Sequence, residues 1–470
     1  MWYNNSCYEY IVRRGKMDTS LKKGFWGTAL ALALPIALQN LLTSCASLID
    51  TAMIVPLGNT AVASVGVAGR FTFLLNVMSF GFCSGSATLI SQFWGVNDRR
   101  GIRRTHGTAL ISSLILAFLY ALALGLAPGF CVSLFGPEAD VAALAVEYLK
   151  ILAFAAPFIM YSQVTCAALR ATEQVVVPLV SSVISVVVNT FLNYCLISGH
   201  FGFPALGVRG AAIATVTGCV VQALAVFLFF TFGKNPVRAP LKEYLSVSGS
   251  FVGKFFKTAA PVFLNETMWA VGTNIYVMVL ARQGTEEYSG YALFETVQQL
   301  FFVFFVGICH ASAIMVGKAV GRGETEVAYQ TAKRFFIATP LTGLVMGMVV
   351  LLVRNPLLSL FAIETEGSRA VASALLAFYG CWLAMRMIPY TAICGIFRAG
   401  GDTKTGCIIE MGTLYLVGIP AVAAAGLWLH LPFFWIVVIM FAAEDILKGT
   451  VCLIHFLRRK WIIRLTDDNV

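Results

Sequence analysis

Charged residues are scarce in this 470-residue chain: they make up only 12% of it, whereas 59% of its residues are hydrophobic. A soluble protein of this length needs far more charge to cover its surface, so the composition excludes a soluble globular chain and predicts a polytopic membrane protein. No site of small residues follows the first apolar segment, so a cleavable signal peptide is not expected. The start is left open between Met1 and Met17, where the stretch MDTSLKKGFW begins.

Motifs for enzymatic or nucleotide-driven chemistry are also missing. The twelve cysteines are scattered singly, with no CxxC pair and no Cys/His set at metal-ligand spacing. No GxxxxGK[ST] motif for ATP occurs, and no paired aspartates or Ser/His group lies on adjacent apolar segments. We therefore expect neither an enzyme nor a cofactor. The net charge of +10 falls in loops on one side of the membrane and does not indicate nucleic-acid binding.

Hydropathy over windows of about 19 residues predicts transmembrane helices. Twelve spans are predicted, at 27–55, 61–89, 107–134, 143–167, 175–197, 209–232, 255–281, 288–316, 334–360, 370–395, 405–427 and 432–456. Lys and Arg concentrate in alternate loops and in both tails, which the positive-inside rule assigns to the cytoplasm. We therefore expect a multi-pass protein of the inner (cytoplasmic) membrane with both termini inside.

An internal repeat organises these spans. The intervals of 23, 23 and 14 residues from Pro35 through Gly58 and Gly81 to Gly95 recur from Pro261 to Gly321, and AALRATEQ (167–174) echoes GIFRAGGD (395–402). A shift of 226–228 residues maps six spans onto six, so the halves share their orientation and are related by an axis along the membrane normal. This repeat predicts an all-α fold of two six-helix bundles.

The repeat also divides the chain into segments with predicted roles. They are a basic tail (1–24), an N-lobe (25–232), a cytoplasmic linker (233–254), a C-lobe (255–457) and a second cytoplasmic tail (458–470). Two lobes with a cleft between them are the layout of an alternating-access transporter.

Several separated stretches resemble the multidrug and toxic compound extrusion (MATE) family. They are PIALQNLLTSCASLIDTAMIVPLG, GSATLISQFWGVNDRRGIRR, LNYCLISGHFGFPALGVRGAAIATV and GIFRAGGDTKTG, in this order. The resemblance covers about 25–460. It implies two six-helix bundles in a V that export organic cations and similar amphiphiles in exchange for Na⁺ or H⁺.

Asp50 is a carboxylate within the first apolar span, where an ionised aspartate costs about 2.5–3.5 kcal/mol. Such a residue faces the bundle interior and is a candidate ion-coupling group, because a carboxylate ligates Na⁺ and a desolvated carboxyl group readily takes a proton. Asn189 and Asn193 are four residues apart on span five, and Thr215 on span six adds a hydroxyl. In MATE relatives the position of Asn193 is commonly aspartate, so the number of coupling ions and the choice between them stay open.

Pro35 lies fifteen residues before Asp50 on the same span. Proline interrupts the helical hydrogen bonds and permits a bend. The resemblance implies a helix that bends as the site changes occupancy; the alternative is a proline at the start of the helix.

The C-lobe offers a second set of polar candidates. Glu266 on span seven is a candidate to carry protons, bind Na⁺ or meet a cationic substrate, since some family members have a functional glutamate there. Gln298, Arg386 and Tyr390 are further substrate or ion candidates, and Arg386 is expected to neutralise Glu266 or another buried acid. Glu444 and Lys448 are spaced to pair on one helix face.

The sequence thus predicts a secondary antiporter, functional as a monomer, for small organic cations or amphiphiles. The alternative is a flippase for lipid-linked saccharides on a related two-lobe plan, which would need several cavity cations to hold a pyrophosphate. Only four basic residues were expected in or near the spans, which disfavours it: Arg70, Lys150, Arg386 and Lys448.

Overall fold

A computed structural model describes residues 5–136, 138–233, 235–240, 243–244, 248–359 and 365–466, with side chains from Gly24 onward. The remaining positions, which include Lys234 and Lys242 of the predicted linker and parts of both predicted tails, lie outside the described residues. The described chain forms twelve long helices: α1 Asn5–Ile54, α2 Asn59–Gly95, α3 Arg99–Leu126, α4 Ala139–Ala171, α5 Val176–Ser198, α6 Val208–Phe232, α7 Gly249–Leu280, α8 Thr285–Gly321, α9 Thr325–Leu358, α10 Glu366–Phe397, α11 Thr403–Trp428 and α12 Phe433–Leu457.

Ten of these helices are long and apolar enough to cross a membrane by length and composition among the described residues. The other two predicted spans, α7 and α12, are also helices of membrane-crossing length, with 32 and 25 residues. Both carry charged side chains in their middle, Glu266 in α7 and the group Glu444, Asp445 and Lys448 in α12. Their charge marks the same positions that the sequence singles out in the C-lobe.

Several helices depart from regular α geometry. A 3₁₀ turn at Ala153–Ala155 interrupts α4, α10 ends in π-type turns at Thr391–Phe397, and α11 contains two more π segments. π-type turns widen a helix and are frequent at functional sites. In α10 they come directly before Arg398, which lines a cavity described below.

Each bundle has an apolar core of its own, one from α1–α6 and the other from α7–α12. Further apolar clusters join the bundles, such as the one in which Phe255 and Ala259 of α7 pack with residues of α2, α3 and α4. Across the lobes, α1 packs on α8 and α2 packs on α7, which are equivalent pairs under the repeat. The fold is therefore an all-α membrane protein of two six-helix bundles related by a pseudo-twofold axis along the membrane normal.

Equivalent glycines permit this close approach. A Cβ at Gly81 of α2 would lie 2.9 Å from the backbone of Phe263, and one at Gly307 of α8 would lie 2.8 Å from Cβ of Ala37. Side chains here would force the helices apart, so two of the landmarks that define the sequence repeat are contact points between the lobes. The outward faces instead expose large apolar side chains to the lipid, such as Leu352 and Leu416, which are 73% and 78% exposed.

Candidate functional site

The carboxyl group of Asp50 meets the amide groups of α5 inside the N-lobe. Asn193 Nδ2 donates a hydrogen bond to Asp50 Oδ1 over 2.6 Å, and the same nitrogen lies 3.4 Å from Asn189 Oδ1. Both asparagines are buried and Asp50 is half-buried. Because they are four residues apart, the two amides share the face of α5 that packs on α1. The structure thus brings together three of the four predicted ion-coupling residues.

The contact leaves one oxygen atom of Asn193 free to ligate a hard cation. Asn193 Oδ1 is buried and has no hydrogen-bonding partner among the described residues, and the same holds for Thr190 Oγ1, three residues earlier on α5. Carboxylate, amide and hydroxyl oxygens are the ligands that hard cations such as Na⁺ accept. No group of three or more His, Cys, Asp and Glu side chains that could hold a metal ion occurs in the described part of the chain. Sodium bound here would therefore depend on one carboxylate and neutral oxygens.

Thr215, the fourth candidate, is placed differently. Its hydroxyl donates to Ala211 O of its own helix over 2.9 Å rather than to the carboxylate of Asp50. The phenol of Tyr148, buried on α4, is near both Thr215 and Asp50. Sequence reasoning missed Tyr148, because hydropathy does not tell which face of α4 turns toward α1.

Pro35 lies inside α1, thirty residues after the helix begins at Asn5. The alternative that it starts the helix is therefore wrong. Since proline has no N–H, the carbonyl of Ala31 lacks its usual helical partner. The bending role assigned to Pro35 stays a prediction.

Glu266 lines a C-lobe cavity of about 240 Å³ and pairs with Arg398. Arg398 Nη2 donates to Glu266 Oε1 over 2.5 Å, and both side chains are largely buried. Arg386 does not neutralise Glu266; it lies 3.5 Å from Asp445 of α12 instead, and Trp382 Nε1 donates to the same carboxylate over 2.9 Å. The sequence predicted that Arg386 neutralises either Glu266 or another buried acid. The acid is Asp445, because α10 turns Arg386 toward α12.

Lys448 holds two further carboxylates of this cavity. Its Nζ lies 2.5 Å from Glu410 Oε1 and 3.5 Å from Glu444 Oε2, so the Glu444–Lys448 spacing does form a pair. The cavity is lined in all by four acidic and three basic side chains. Each basic group is paired with an acid, which leaves the cavity formally negative by one charge.

The remaining C-lobe candidates, Tyr390 and Gln298, differ in whether they line this cavity. Tyr390 lines this cavity and packs against Phe302 in a tilted arrangement, with ring centroids 4.7 Å apart and ring planes at 60°. Gln298 is half-buried on α8 and is not among the lining residues of either described cavity. The structure therefore places Tyr390, but not Gln298, beside Glu266 and Arg386.

A second cavity, of about 190 Å³, lies between the lobes and adjoins the first. Both share Phe80, Tyr390, Cys394 and Arg398 among their lining residues. This inter-lobe cavity is lined by α1, α2, α4, α8 and α10. The inter-lobe cavity therefore adjoins the charged interior of the C-lobe, with these four side chains between the two spaces.

The lobes contact one another at the end that carries the basic loops. Lys318 Nζ of α8 lies 2.5 Å from Glu173 Oε1 after α4, and Arg322 Nε donates to Gly95 O over 3.2 Å. Gln92 of α2 contacts the C-lobe through its amide group. The inter-lobe cavity is closed toward this end by these contacts.

Comparison with known proteins assigns the chain to a family. The family model MatE matches residues 35–195 and 261–444, one block in each lobe. The chain belongs to the MatE family. It is a transporter and not an enzyme, and it is a multi-pass membrane protein.

Individual MatE relatives match over nearly the whole chain. The Probable multidrug resistance protein NorM of Thermotoga maritima is 24% identical over 451 residues, covering 94% of each chain. The Probable multidrug resistance protein YoeA of Bacillus subtilis is 24% identical over 402 residues, covering 85% of this chain and 86% of its own. A solved MOP superfamily transporter from Pyrococcus furiosus superposes with a TM-score of 0.84 at 17% identity, over 92% of this chain and 96% of that one. The last likeness shows the fold alone.

Arg170 and Arg398 of this MatE protein were not among the four basic residues predicted in or near the spans, because the predicted span limits left both in loops. Both line the inter-lobe cavity. A signal was present: the repeat aligns Arg170 with Arg398, at a shift of 228 residues. Basic residues at equivalent positions of two lobes that face one cleft are expected to converge on it.

Proposed function

We propose that this MatE protein is a secondary antiporter that exports small organic cations or amphiphiles by alternating access in exchange for Na⁺ or H⁺. The observation that carries the proposal is the buried contact between Asp50 of α1 and Asn193 of α5. A membrane-embedded carboxylate is costly and marks an ion pathway. Its bonding partner is neutral, so a cation is needed to balance its charge.

The coupling follows from differential affinity. A cation that binds more tightly at Asp50 in one arrangement of the lobes shifts the population toward that arrangement, and the substrate shifts it back. The substrate cavities lie between the lobes and in the C-lobe, whereas Asp50 lies in the N-lobe. The two ligands therefore act at separate sites that the rocking of the lobes connects.

The end with the basic loops is assigned to the cytoplasm of an inner-membrane protein, with both termini inside. With the lobes in contact at that end, the described arrangement faces outward. The two bundles of one chain supply all the lining residues of both cavities, so we assign transport to the monomer, with no cofactor besides the coupling ion.

A flippase for lipid-linked saccharides is not favoured, although the cavities hold more basic residues than expected. Arg386, Arg398 and Lys448 each pair with a buried carboxylate. A pyrophosphate would have to displace these acids.

The test is dye export by protein reconstituted in vesicles under separate Na⁺ and pH gradients. The dye is a rhodamine methyl ester, a flat cation. Wild type is expected to export it under one of the two gradients, and Asp50→Asn to lose gradient-driven export while keeping dye binding. Asp140→Asn, which neutralises an exposed acid in the first turn of α4, is the matched control and should match wild type. Full gradient-driven export by Asp50→Asn would overturn the coupling role of Asp50.

A further inference from the structure

The inter-lobe cavity has an unusual charge. Its lining includes Arg170, Arg398 and His310, together with hydroxyl and amide groups, but no aspartate or glutamate among the described residues. Two arginines without an acid among the lining residues favour an anionic group over a cationic one at this surface. The question is which of the three basic groups is available to a ligand.

Arg398 is not available as a free charge, because Glu266 lies 2.5 Å from its guanidinium group. Arg170 differs although it is the repeat mate of Arg398. It lies within no ion pair of the described residues, and its hydrogen bond runs from Nη1 to the neutral amide oxygen Gln39 Oε1 over 3.3 Å. The guanidinium of Arg170 thus lies at the cavity wall with no carboxylate paired to it among the described residues.

Neighbouring groups orient the hydrogen-bonding partner of Arg170 and supply the rest of the cavity wall. Gln39 Nε2 donates to Ser182 Oγ over 3.0 Å, which orients the amide oxygen toward Arg170. His310 lines the same cavity and makes no hydrogen bond to any described residue. Phe80 and Tyr390 supply aromatic surface beside the charged groups. The cavity therefore presents the guanidinium group of Arg170, the imidazole of His310 as a second hydrogen-bond donor, and an aromatic surface beside them.

We propose that the inter-lobe cavity binds an anionic group, such as a carboxylate, of an amphiphilic substrate through Arg170, with His310 as a second donor. This inference rests on the proposed transport function and names the charge of one part of its substrate. A guanidinium group binds a carboxylate through two parallel hydrogen bonds, which are among the strongest in proteins. The adjoining C-lobe cavity is formally negative by one charge. A zwitterion can therefore place its anionic part at Arg170 and its cationic part toward the C-lobe.

A pair of dyes isolates the anionic group. One is a rhodamine with a free carboxylate, the acid dye, and the other is its methyl ester, the ester dye used above. Their binding to purified protein in nanodiscs of phosphatidylcholine is measured by fluorescence anisotropy. Wild type is expected to bind the acid dye at least about tenfold more tightly, the effect of one charge-assisted hydrogen bond pair. Equal binding, or tighter binding of the ester dye, would overturn the proposal without variants.

Three variants locate the preference. Arg170→Gln removes the charge and is expected to abolish the preference for the acid dye, read as the ratio of the two dye affinities in the same variant. Gln39→Glu places a carboxylate beside Arg170 as an internal competitor and should weaken acid-dye binding about tenfold. Arg282→Gln removes the same charge from an exposed position outside both cavities and should retain the preference. A preference that survives both cavity variants would overturn the assignment to Arg170.

A second arm separates a substrate from a lipid headgroup, since both carry oxyanions. Nanodiscs containing phosphatidylglycerol are compared with pure phosphatidylcholine. Unchanged acid-dye affinity supports a substrate site, and displacement by phosphatidylglycerol overturns that assignment in favour of a lipid. Loss of ester-dye export would count against the proposed transport function instead, so the two failures are distinguishable.

Discussion

Gln92 and Lys318 occupy equivalent positions in the two halves of the chain, 226 residues apart, and each reaches across to the opposite lobe. Gln92 Nε2 of the N-lobe donates to Ala399 O over 3.0 Å, and Lys318 Nζ of the C-lobe lies 2.5 Å from Glu173 Oε1. Their backbones also make equivalent contacts, because a Cβ at Gly95 would meet Lys318 O and one at Gly321 would meet Gln92 O, and these two glycines are likewise 226 residues apart. The contact between the lobes at the basic-loop end therefore has the same pseudo-twofold symmetry as the bundles.

The amide of Gln92 also joins the segment that follows α12 to α2. Gln92 Nε2 donates to Ile463 O over 3.2 Å, and Leu465 N donates to Gln92 Oε1 over 2.7 Å. This buried amide thus makes three hydrogen bonds, two to the segment after α12 and one to Ala399, and the bond to Ala399 must break when the lobes separate at this end.

Gln92→Ala should accordingly favour opening toward the basic loops. Each lost hydrogen bond contributes about 0.5–1.5 kcal/mol, so labelling of the cavity residue Cys309, kept as the sole cysteine, should accelerate about tenfold for a membrane-impermeant maleimide added on that side. Gln330→Ala is the control, because Gln330 bonds within α9 to Glu326. Labelling as slow as in wild type would show that Gln92 does not hold the lobes together.

Gly321→Ala should destabilise the same contact by a steric route. A Cβ at Gly321 would overlap the backbone of Gln92 across the lobe interface. Because backbone cannot move aside as a flexible side chain does, α2 and α8 must separate. We expect faster maleimide labelling of Cys309 than in Gly412→Ala, where the added methyl group has open space. Identical labelling of the two variants would contradict the close approach.

The number of helices could be predicted from the sequence, but several of their limits and most of the polar pairings could not. The span predicted at 107–134 is the helix Arg99–Leu126, which ends where Ala127 leaves helical geometry. Hydropathy placed α5 at 175–197, against the observed Val176–Ser198, because an apolar run has only one way to cross a membrane. The partner of Glu266 depends instead on how α7 and α10 are rotated about their axes. The π-type turns at the end of α10 place Arg398 in the interior, and the hydrophobic pattern of the sequence does not predict such turns. The Asp50–Asn193 contact could be predicted, because Asp50 is an acid in an apolar span and Asn189 and Asn193 are two amides four residues apart in another.

The Glu266–Arg398 pair should behave as a buried ion pair. Arg398→Leu leaves an unpaired carboxylate and is expected to lower stability by about 3–5 kcal/mol, whereas the double variant Glu266→Leu/Arg398→Leu should recover a large part of it. Thermal unfolding in detergent measures both. Arg209→Leu, which breaks the exposed pair with Glu147, should cost less than about 1 kcal/mol. A double variant less stable than Arg398→Leu would contradict a simple pair.

Asn193→Ala should shift the ion dependence of export in a direction that depends on the coupling ion. It removes the buried Oδ1, a candidate Na⁺ ligand, so a sodium-coupled protein should need at least about fivefold more Na⁺ for half-maximal export. It also removes the N–H donor that stabilises the ionised Asp50 carboxylate, so a proton-coupled protein should instead reach half-maximal export at a lower H⁺ concentration. The readout is dye export by vesicles against Na⁺ concentration and against pH. Asn59→Ala changes an exposed amide at the start of α2 and should leave both curves in place. An unchanged ion dependence in Asn193→Ala would exclude this amide from the ion site.

Pro35→Ala tests whether α1 bends during transport. Alanine restores the hydrogen bond to the carbonyl of Ala31 and so stiffens the helix between Gln39 and the basic-loop end. Because Asp50 is fifteen residues away, cation affinity should stay near the wild-type value while the maximal export rate falls severalfold. Pro340→Ala in α9, a lipid-side helix that contributes no lining residue to either cavity, is the matched control and should export at the wild-type rate. A wild-type rate in Pro35→Ala would show that transport proceeds with a straight α1, and the coupling between Asp50 and the lobes would then have to pass through its packing on α5.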